Sequence, residues 1–334
     1  MSGKSQNVLV TGAGGFIGRH LCDLLLEKGF SVTGLAMPGE DAAFLEKKGI
    51  RIVRGDLTKP ETLTGICEGI DIVYHLAARV TYWGSRSQFM DAIYGATKNL
   101  LDQASGRVKR FVHVSSVVAT GLGPEHRRGF RESDTPVKTG IYYGDAKLES
   151  EKLVWEYQKS RGLASTVIRP TNVTGPGSVW VTDAMENLSK FSFPLLDGGK
   201  WSASLVYIDN LINALYLAGT KDAAAGRTYH VRDDYSVTWK QYFSDIASLM
   251  EPGKARARFV SLPFNVAWFM AGIMGPVLGA LRVRTTLTRH SAGMMGRDND
   301  IDNTRIKDEL GWKTLVSYED ALSRIGEWIK NEAS

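Results

Sequence analysis

A chain of 334 residues with 43% hydrophobic and 23% charged residues has ordinary globular usage. That excludes wholesale disorder and fibrous repeats and leaves one large α/β domain or two unequal ones. The 41 Lys and Arg against 36 Asp and Glu give a net charge of +5 without a basic stripe interleaved with aromatics, so no nucleic-acid partner is expected. Cys22 and Cys67 are too few for a disulfide framework or a four-ligand zinc site, and no metal is expected; Cys22, beside Leu21 and Leu24, reads as a buried thiol. Residues 1–10 lack the long apolar core of a signal peptide, which points to a cytoplasmic location.

In chain order, Asn7 to Thr11 is a short β-branched apolar run and predicts a buried strand. The glycine-rich segment Gly12 to Gly18 follows, then a helix from Arg19 to Lys28 and a second strand from Ser31 to Ala36. Glycines in the first turn of such a βαβ unit serve a nucleotide. Gly12 permits the tight turn, Gly15 lets a pyrophosphate approach the backbone, and Gly18 lets the helix pack closely while its first amides face the phosphates. The spacing is Gly12-x-x-Gly15-x-x-Gly18, and its bland alternative is a flexible loop. Further strands are expected at Ile50 to Arg54, Ile70 to Leu76, Arg110 to Ser115 and Thr166 to Arg169, with a helix from Asp91 to Ser105. Repeated βα units predict a Rossmann-type, doubly wound parallel sheet with ligands at the carboxyl ends of its strands, where Asp56 and His75 fall.

Taken together, these segments resemble the extended short-chain dehydrogenase/reductases. The resemblance rests on Thr11-Gly-Ala-Gly-Gly-Phe-Ile-Gly18, Gly55-Asp-Leu57, His75-Leu-Ala-Ala78, Val114-Ser-Ser116, Tyr143-Gly-Asp-Ala-Lys147 and Arg169-Pro-Thr-Asn-Val-Thr-Gly-Pro-Gly177. Tyr207-Ile-Asp-Asn210 and the closing run Asp302 to Trp312 extend it over essentially the whole chain. It implies a catalytic Ser116, Tyr143 and Lys147. It also implies a dinucleotide held by Gly12, Gly14, Gly15, Phe16, Ile17, Gly18, Asp56, Leu57, Leu76, Ala77, Ala78, Tyr143, Lys147, Pro170, Asn172 and Val173. Asn172 would lie near the nicotinamide. A homodimer through the helices near 91–105 and 144–159 is a further implication.

The chemistry of the pair stands without the resemblance. Tyr143 and Lys147, four apart at the start of a helix from Gly144 to Lys159, share one face. An ammonium there favours the phenolate, so a phenol with a free pKa of ~10 can exchange protons near neutrality. Ser116 would hold the reacting oxygen beside it. Ser115 and Tyr142 are the rivals; Ser116 lies five residues before Gly121, as in the family, and Tyr142 has no lysine four residues on. Two departures stand out. Ile93 occupies the place of the family's asparagine, which removes any relay through that side chain. Ala36-Met37 offers neither the acid that reads a ribose 2′-hydroxyl nor an arginine for a 2′-phosphate, while Glu40, Asp41 and Arg19 lie near. NAD is favoured over NADP, with both left open.

The chain divides at about residue 177 into a dinucleotide-binding part, 1–177, and a mainly substrate-binding part, 178–334. Segments such as 204–217 are expected to rejoin the main sheet. Tyr82 and Trp83, after Ala78, should border the substrate and suit a flat or apolar ligand; ordinary loop packing is the alternative. Phe259 to Leu281 carries no formal charge, contains Pro263, Pro276, Gly272, Gly275 and Gly279, and has Lys254, Arg256 and Arg258 before it and Arg282, Arg284 and Arg289 after it. Three readings are open: a segment that dips into one leaflet with the Trp268 and Phe269 rings facing lipid, a buried helical pair, and a full span. With Leu287-Thr-Arg289, this stretch resembles the 3β-hydroxysteroid dehydrogenase branch, including sterol-carboxylate and 3-ketoacid-acting relatives. The resemblance implies an NAD(P)-dependent interconversion of hydroxyl and ketone on a hydrophobic, sterol-like substrate, with decarboxylation where a β-keto acid forms. Val117 and Val118 after Ser116 argue against dehydration, since dehydratases of the family place acids there. A sugar-nucleotide epimerase is the alternative enzyme, and a nucleotide-sensing protein without turnover the alternative outside enzymology.

Overall fold

Seven parallel strands form the central sheet, in the order Arg227–Val231, Ser165–Pro170, Arg110–Val114, Ile72–His75, Asn7–Thr11, Ser31–Ala36, Arg51–Arg54. The computed structural model describes residues 5–81, 84–280 and 288–332, the side chains of 275–280 excepted. Tyr82 and Trp83 therefore lie outside the described residues, as do 281–287.

The sheet is buried on both faces, so its strands read as continuous apolar runs whose side chains alternate between two cores. Val8, Val10, Ile72, Tyr74 and Val112 join Leu21 and Leu25 of the helix Phe16–Glu27 on one side. Leu9, Val73, Phe111 and Val167 join Leu100 and Leu101 of Ala96–Ala104 and Leu153 and Val154 of Tyr142–Arg161 on the other. After Asn7–Thr11 the chain builds to one side of that strand, and from Ile72–His75 onward to the other. The crevice between these two strands is the switch point, and the glycine loop and Leu76–Ala78 leave the sheet there.

The expectation that Ser204 to Tyr207 rejoins this sheet is corrected. The edge beside Ser165–Pro170 is filled by Arg227–Val231 in five-residue register. Leu205–Tyr207 instead pairs with Asn172–Thr174, beyond the end of that strand. The following helix, Ile208–Thr220, does return to the sheet: its Leu211, Leu215 and Ala218 lie in the same core as Val8 and Val10. A third core gathers Val181, Leu195, Trp239, Tyr242, Phe243 and Ile325, so the later half packs largely around its own aromatic centre.

The uncharged stretch forms the end of the strand Arg258–Leu262, then Pro263, then one helix, Phe264–Ala280. Gly272, Gly275, Pro276 and Gly279 do not break that helix, so a single helix stands where the helical pair was one of the three readings. Among the described residues no helix is long and apolar enough to cross a membrane. Trp268 and Phe269, expected to share one environment, are split between faces: Trp268 packs beside Phe264 with ring centres 5.5 Å apart, whereas Phe269 points outward. Adjacent helix residues are 100° apart, so a pair at i, i+1 straddles a boundary between faces.

Candidate active site

The first turn is built for close approach. Gly12 has φ +69°, its carbonyl accepts the Gly15 amide at 3.0 Å, and a Cβ on it would meet the Ala77 amide at 3.0 Å. A side chain at Gly18 would drive into the Gly12 carbonyl oxygen, so the helix can start against the loop only with glycine there. Phe16 and Ile17 open that helix, half-buried against the core. Leu76, Ala77 and Ala78 lie across the crevice, and the Ala77 amide donates to Thr11 Oγ1 at 3.2 Å. Leu57 is reached from the next layer, its carbonyl accepting Asn99 Nδ2 at 2.8 Å. The Asp56 carboxylate accepts from the Thr58 amide and hydroxyl, bonds that hold its pKa below the usual range. The residues present thus fit a dinucleotide: a glycine cradle, an open helix N-terminus and strand ends around one crevice.

Glu40 and Asp41 separate cleanly. The Asp41 carboxylate accepts the Ala43 amide at 3.0 Å, just ahead of the short helix Ala43–Glu46. The Glu40 carboxylate accepts the Met37 amide at 2.9 Å and lies so near Gly14 that a Cβ there would be 2.6 Å from it. An acid therefore does stand at the loop end of the second strand, supplied three residues after Met37. The Arg54 guanidinium is turned to the Met37 and Glu40 carbonyls. Arg19 is exposed on the first helix.

Helix Tyr142–Arg161 begins two residues earlier than its sequence pattern indicates, which puts Tyr143 in its first turn. Gly144 makes the site: a Cβ there would be 2.7 Å from the Val118 carbonyl, so the helix start presses directly on the turn Val117–Thr120 that follows Ser116. Ser116 is half-exposed at the head of that turn and accepts the Val118 amide at 3.2 Å, whereas Ser115 is buried and donates to Glu151. Tyr142 is exposed; Tyr143 turns inward, edge-on to Phe89 at 6.5 Å and among Val118, Leu122 and Met294. Lys147 is 3% exposed and its Nζ donates to the Val114 carbonyl at 2.7 Å, at the end of the strand that leads to Ser116. Burial pushes its pKa down to about 8, with Glu151 opposing.

Beneath this group lies a buried polar frame. Glu151, one turn beyond Lys147, forms a two-pronged ion pair with Arg169, at 2.9 Å to Nε and 2.5 Å to Nη2. Ser115, Glu151 and Arg169 thereby lock two strand ends to the helix that carries Tyr143 and Lys147. His75 is tied on both sides, Nδ1 to Thr11 Oγ1 at 2.8 Å and Nε2 to Thr97 Oγ1 at 3.0 Å. Since the Thr97 hydroxyl donates to the Ile93 carbonyl, Nε2 carries the proton and Nδ1 accepts. Burial, then Lys147, brings the His75 pKa down to about 3, so it serves as a neutral strut. Ile93 itself is buried within a π-helical turn, Met90–Gly95, packed with Phe89 and Ala146, and offers no side-chain relay. Pro170 closes its strand, and Asn172 is buried with Nδ2 donating to the Ala203 carbonyl at 2.7 Å; Val173 beside it is half-buried.

Sequence reasoning missed the roof. Helix Arg289–Met295 lays His290 against the Tyr143 ring, with centroids 5.6 Å apart and planes at 15°, and brings Met294, one turn on, into the same cluster. Burial pushes the His290 pKa down to about 4, leaving a neutral ring. No spacing ties His290 to Tyr143 in the sequence. Glu151 did carry a signal, being the third member of an i, i+4, i+8 stripe with Tyr143 and Lys147.

A profile described as the NAD dependent epimerase/dehydratase family matches residues 8–231. The chain is 26% identical to the 2-alkyl-3-oxoalkanoate reductase of Shewanella oneidensis, over 97% of this chain and 87% of that protein. It is 20% identical to the decarboxylating sterol-4-alpha-carboxylate 3-dehydrogenase of Mus musculus, over 96% of this chain and 90% of that one. Among solved structures, the UDP-glucuronic acid 4-epimerase of Bacillus cereus, in complex with UDP-glucuronic acid and NAD, is similar with a TM-score of 0.74. It is 22% identical and covers 98% of this chain and 100% of its own, a likeness that speaks for the fold.

Proposed function

This chain belongs to the NAD dependent epimerase/dehydratase family, and on that premise we propose that it is an oxidoreductase interconverting a hydroxyl and a ketone on a hydrophobic substrate. The observation that carries the reading is the seating of Tyr143: in the first turn of its helix, above a buried Lys147 amine, pressed against the turn that begins at Ser116, and walled by Phe89, Leu122, Met294 and a neutral His290.

A nicotinamide held at the glycine cradle would supply the hydride acceptor in oxidation and the donor in reduction. Ser116 orients the substrate oxygen. Tyr143 takes that oxygen's proton in oxidation and gives it back in reduction, and the Lys147 ammonium favours the phenolate that results. At pH 7 the amine is below its pKa of about 8 and carries that charge. The frame of Ser115, Glu151 and Arg169 holds the carriers in register and leaves the chemistry to the three groups above it.

An apolar wall suits a sterol or long-chain body. The names of the two relatives share a carbon-3 oxygen beside a carbon bearing a carboxylate. The substrate class we infer is therefore a 3-hydroxy or 3-keto acid on a bulky hydrocarbon. Oxidation of such an alcohol yields a β-keto acid. Its carbon–carboxylate bond can break with release of carbon dioxide, the electron pair passing to the ketone as an enolate that is then protonated. Glu40, with its carboxylate at Gly14, supports NAD over NADP, because it can accept from a ribose 2′-hydroxyl and repels a 2′-phosphate. Turnover of NAD and NADP with a sterol-4-carboxylate, a 2-alkyl-3-ketoacid (with the reduced cofactors) and a UDP-sugar tests the reading. Turnover confined to the UDP-sugar would overturn it.

A further inference from the structure

The helix Phe264–Ala280 has two apolar faces, and among the described residues only one of them is covered. Phe264, Ala267 and Ala271 are buried, with Trp268 beside them, against Leu196, Ala292 and Met295. Val266, Phe269, Met270, Ile273 and Met274 follow at the i, i+3, i+4, i+7, i+8 spacing and form an outward stripe, with Phe269 68% exposed. Val260, on the strand that leads into the helix, is exposed as well.

Charge is segregated onto the same segment. From Pro252 to Arg297 there are seven cations, Lys254, Arg256, Arg258, Arg282, Arg284, Arg289 and Arg297, and no Asp or Glu. With the whole chain at +5, the other 288 residues together are net −2. Arg256 and Arg258 are exposed at the entry to the strand before the helix, and Arg289 stands over the Trp268 ring at 5.5 Å. An apolar ridge set among cations has the chemistry of a surface that lies in the headgroup region of an anionic leaflet. A second copy of the chain fits less well, because a two-fold contact would bring the exposed Lys254, Arg256, Arg258 and Arg289 of each copy together, while Arg297 is already matched by Asp197 at 3.7 Å.

We propose that the outward stripe of Phe264–Ala280 docks this protein on an anionic bilayer as a monotopic contact. The docking stands on this surface alone and does not depend on the substrate reading. Should that reading hold, docking places the substrate entrance at the lipid, because the covered face of the helix packs on Arg289–Met295, which roofs Tyr143.

The full-length protein is to be sedimented with vesicles of phosphatidylcholine alone and of phosphatidylcholine with about one third phosphatidylglycerol, at low and high salt. Binding to the anionic vesicles, at least about tenfold tighter than to the neutral ones and weakened by salt, is expected. Phe269→Ser with Ile273→Ser should lower that affinity about tenfold or more with unchanged thermal unfolding, since both side chains are exposed. Arg256→Gln with Arg258→Gln, also exposed, should weaken anionic binding and flatten its salt dependence even if the serine variant folds poorly. Absence of vesicle binding, or serine and glutamine variants that bind like the parent, overturns the proposal. So does a dimer without vesicle affinity that the serine variant converts to monomer, because the stripe is then a contact between copies.

Discussion

Lys147→Met removes a charge from the middle of the protein while keeping an unbranched side chain of similar reach. The fall of the Lys147 pKa from 10.5 to about 8, caused by burial, corresponds to about 3 kcal/mol at 1.36 kcal/mol per pKa unit. The group is a base whose folded pKa lies below its unfolded one. Between pH 8 and 10.5 the unfolded chain therefore binds more protons, and the parent gains stability as pH rises through that window. Below pH 8 the full cost is present. Methionine escapes it but strips the Val114 carbonyl of its 2.7 Å donor, at about 1–2 kcal/mol. The variant should thus be about 1–2 kcal/mol more stable than the parent at pH 7, with the advantage gone by about pH 10, and should be nearly inactive. Urea unfolding of both proteins at the two pH values reads this, because other titrating groups cancel in the difference. A stability difference that does not change with pH, or a methionine variant clearly less stable at pH 7, would refute burial as the cause of the lysine's condition.

Tyr143→Phe should keep NAD affinity and lose about 10²–10⁴-fold in turnover, because only the proton-transfer group goes; cofactor titration alongside steady-state kinetics checks both halves. Glu151→Gln leaves the buried Arg169 without its counter-charge and should cost about 3–5 kcal/mol in chemical unfolding, far more than any exposed pair of the chain. Glu40→Gln with Met37→Arg should move the cofactor preference toward NADP by exchanging a repelling carboxylate for a phosphate partner, read as the ratio of kcat/KM for the two cofactors. His290→Ala opens the wall beside Tyr143 and should raise KM for a bulky substrate more than it lowers kcat, whereas an equal fall in kcat and kcat/KM would mean the ring acts in the chemistry.

The sheet was legible because its strands are short apolar runs spaced by glycine-marked turns, and the strand Ser31–Ala36 falls where the pattern puts it. The shared face of Tyr143 and Lys147 was legible from their spacing of four on one helix, whereas the choice of Ser116 over Ser115 came from the family pattern, and the fold sets Ser116 at the turn on which that helix starts. Leu205–Tyr207 was misread because its β-rich composition says that it pairs and says nothing of its partner, and a five-residue strand 20 residues later holds the sheet edge. Tyr207-Ile-Asp-Asn210 and the closing run turn out to be one staple. Asn210 accepts the Leu315 and Val316 amides at 3.0 Å, donates to Asp233, and receives the Trp312 indole N–H on its carbonyl. His290 was invisible because the contact joins residues 147 apart through tertiary packing alone. Glu40 was seen, but only the folded loop distinguishes it from Asp41.

The proposed reaction is net hydride transfer at a carbinol with Tyr143 as proton carrier. Its most direct measurement follows deuterium from the carbinol carbon of a 3-hydroxy acid substrate into the product mixture by mass spectrometry, with parent and Tyr143→Phe proteins. Deuterium on the reduced nicotinamide and one reduced cofactor per ketone formed are expected with the parent, and neither with the phenylalanine variant. A UDP-sugar returned with one carbon inverted, its deuterium retained and no net change in cofactor, while the 3-hydroxy acid is left untouched, would contradict it.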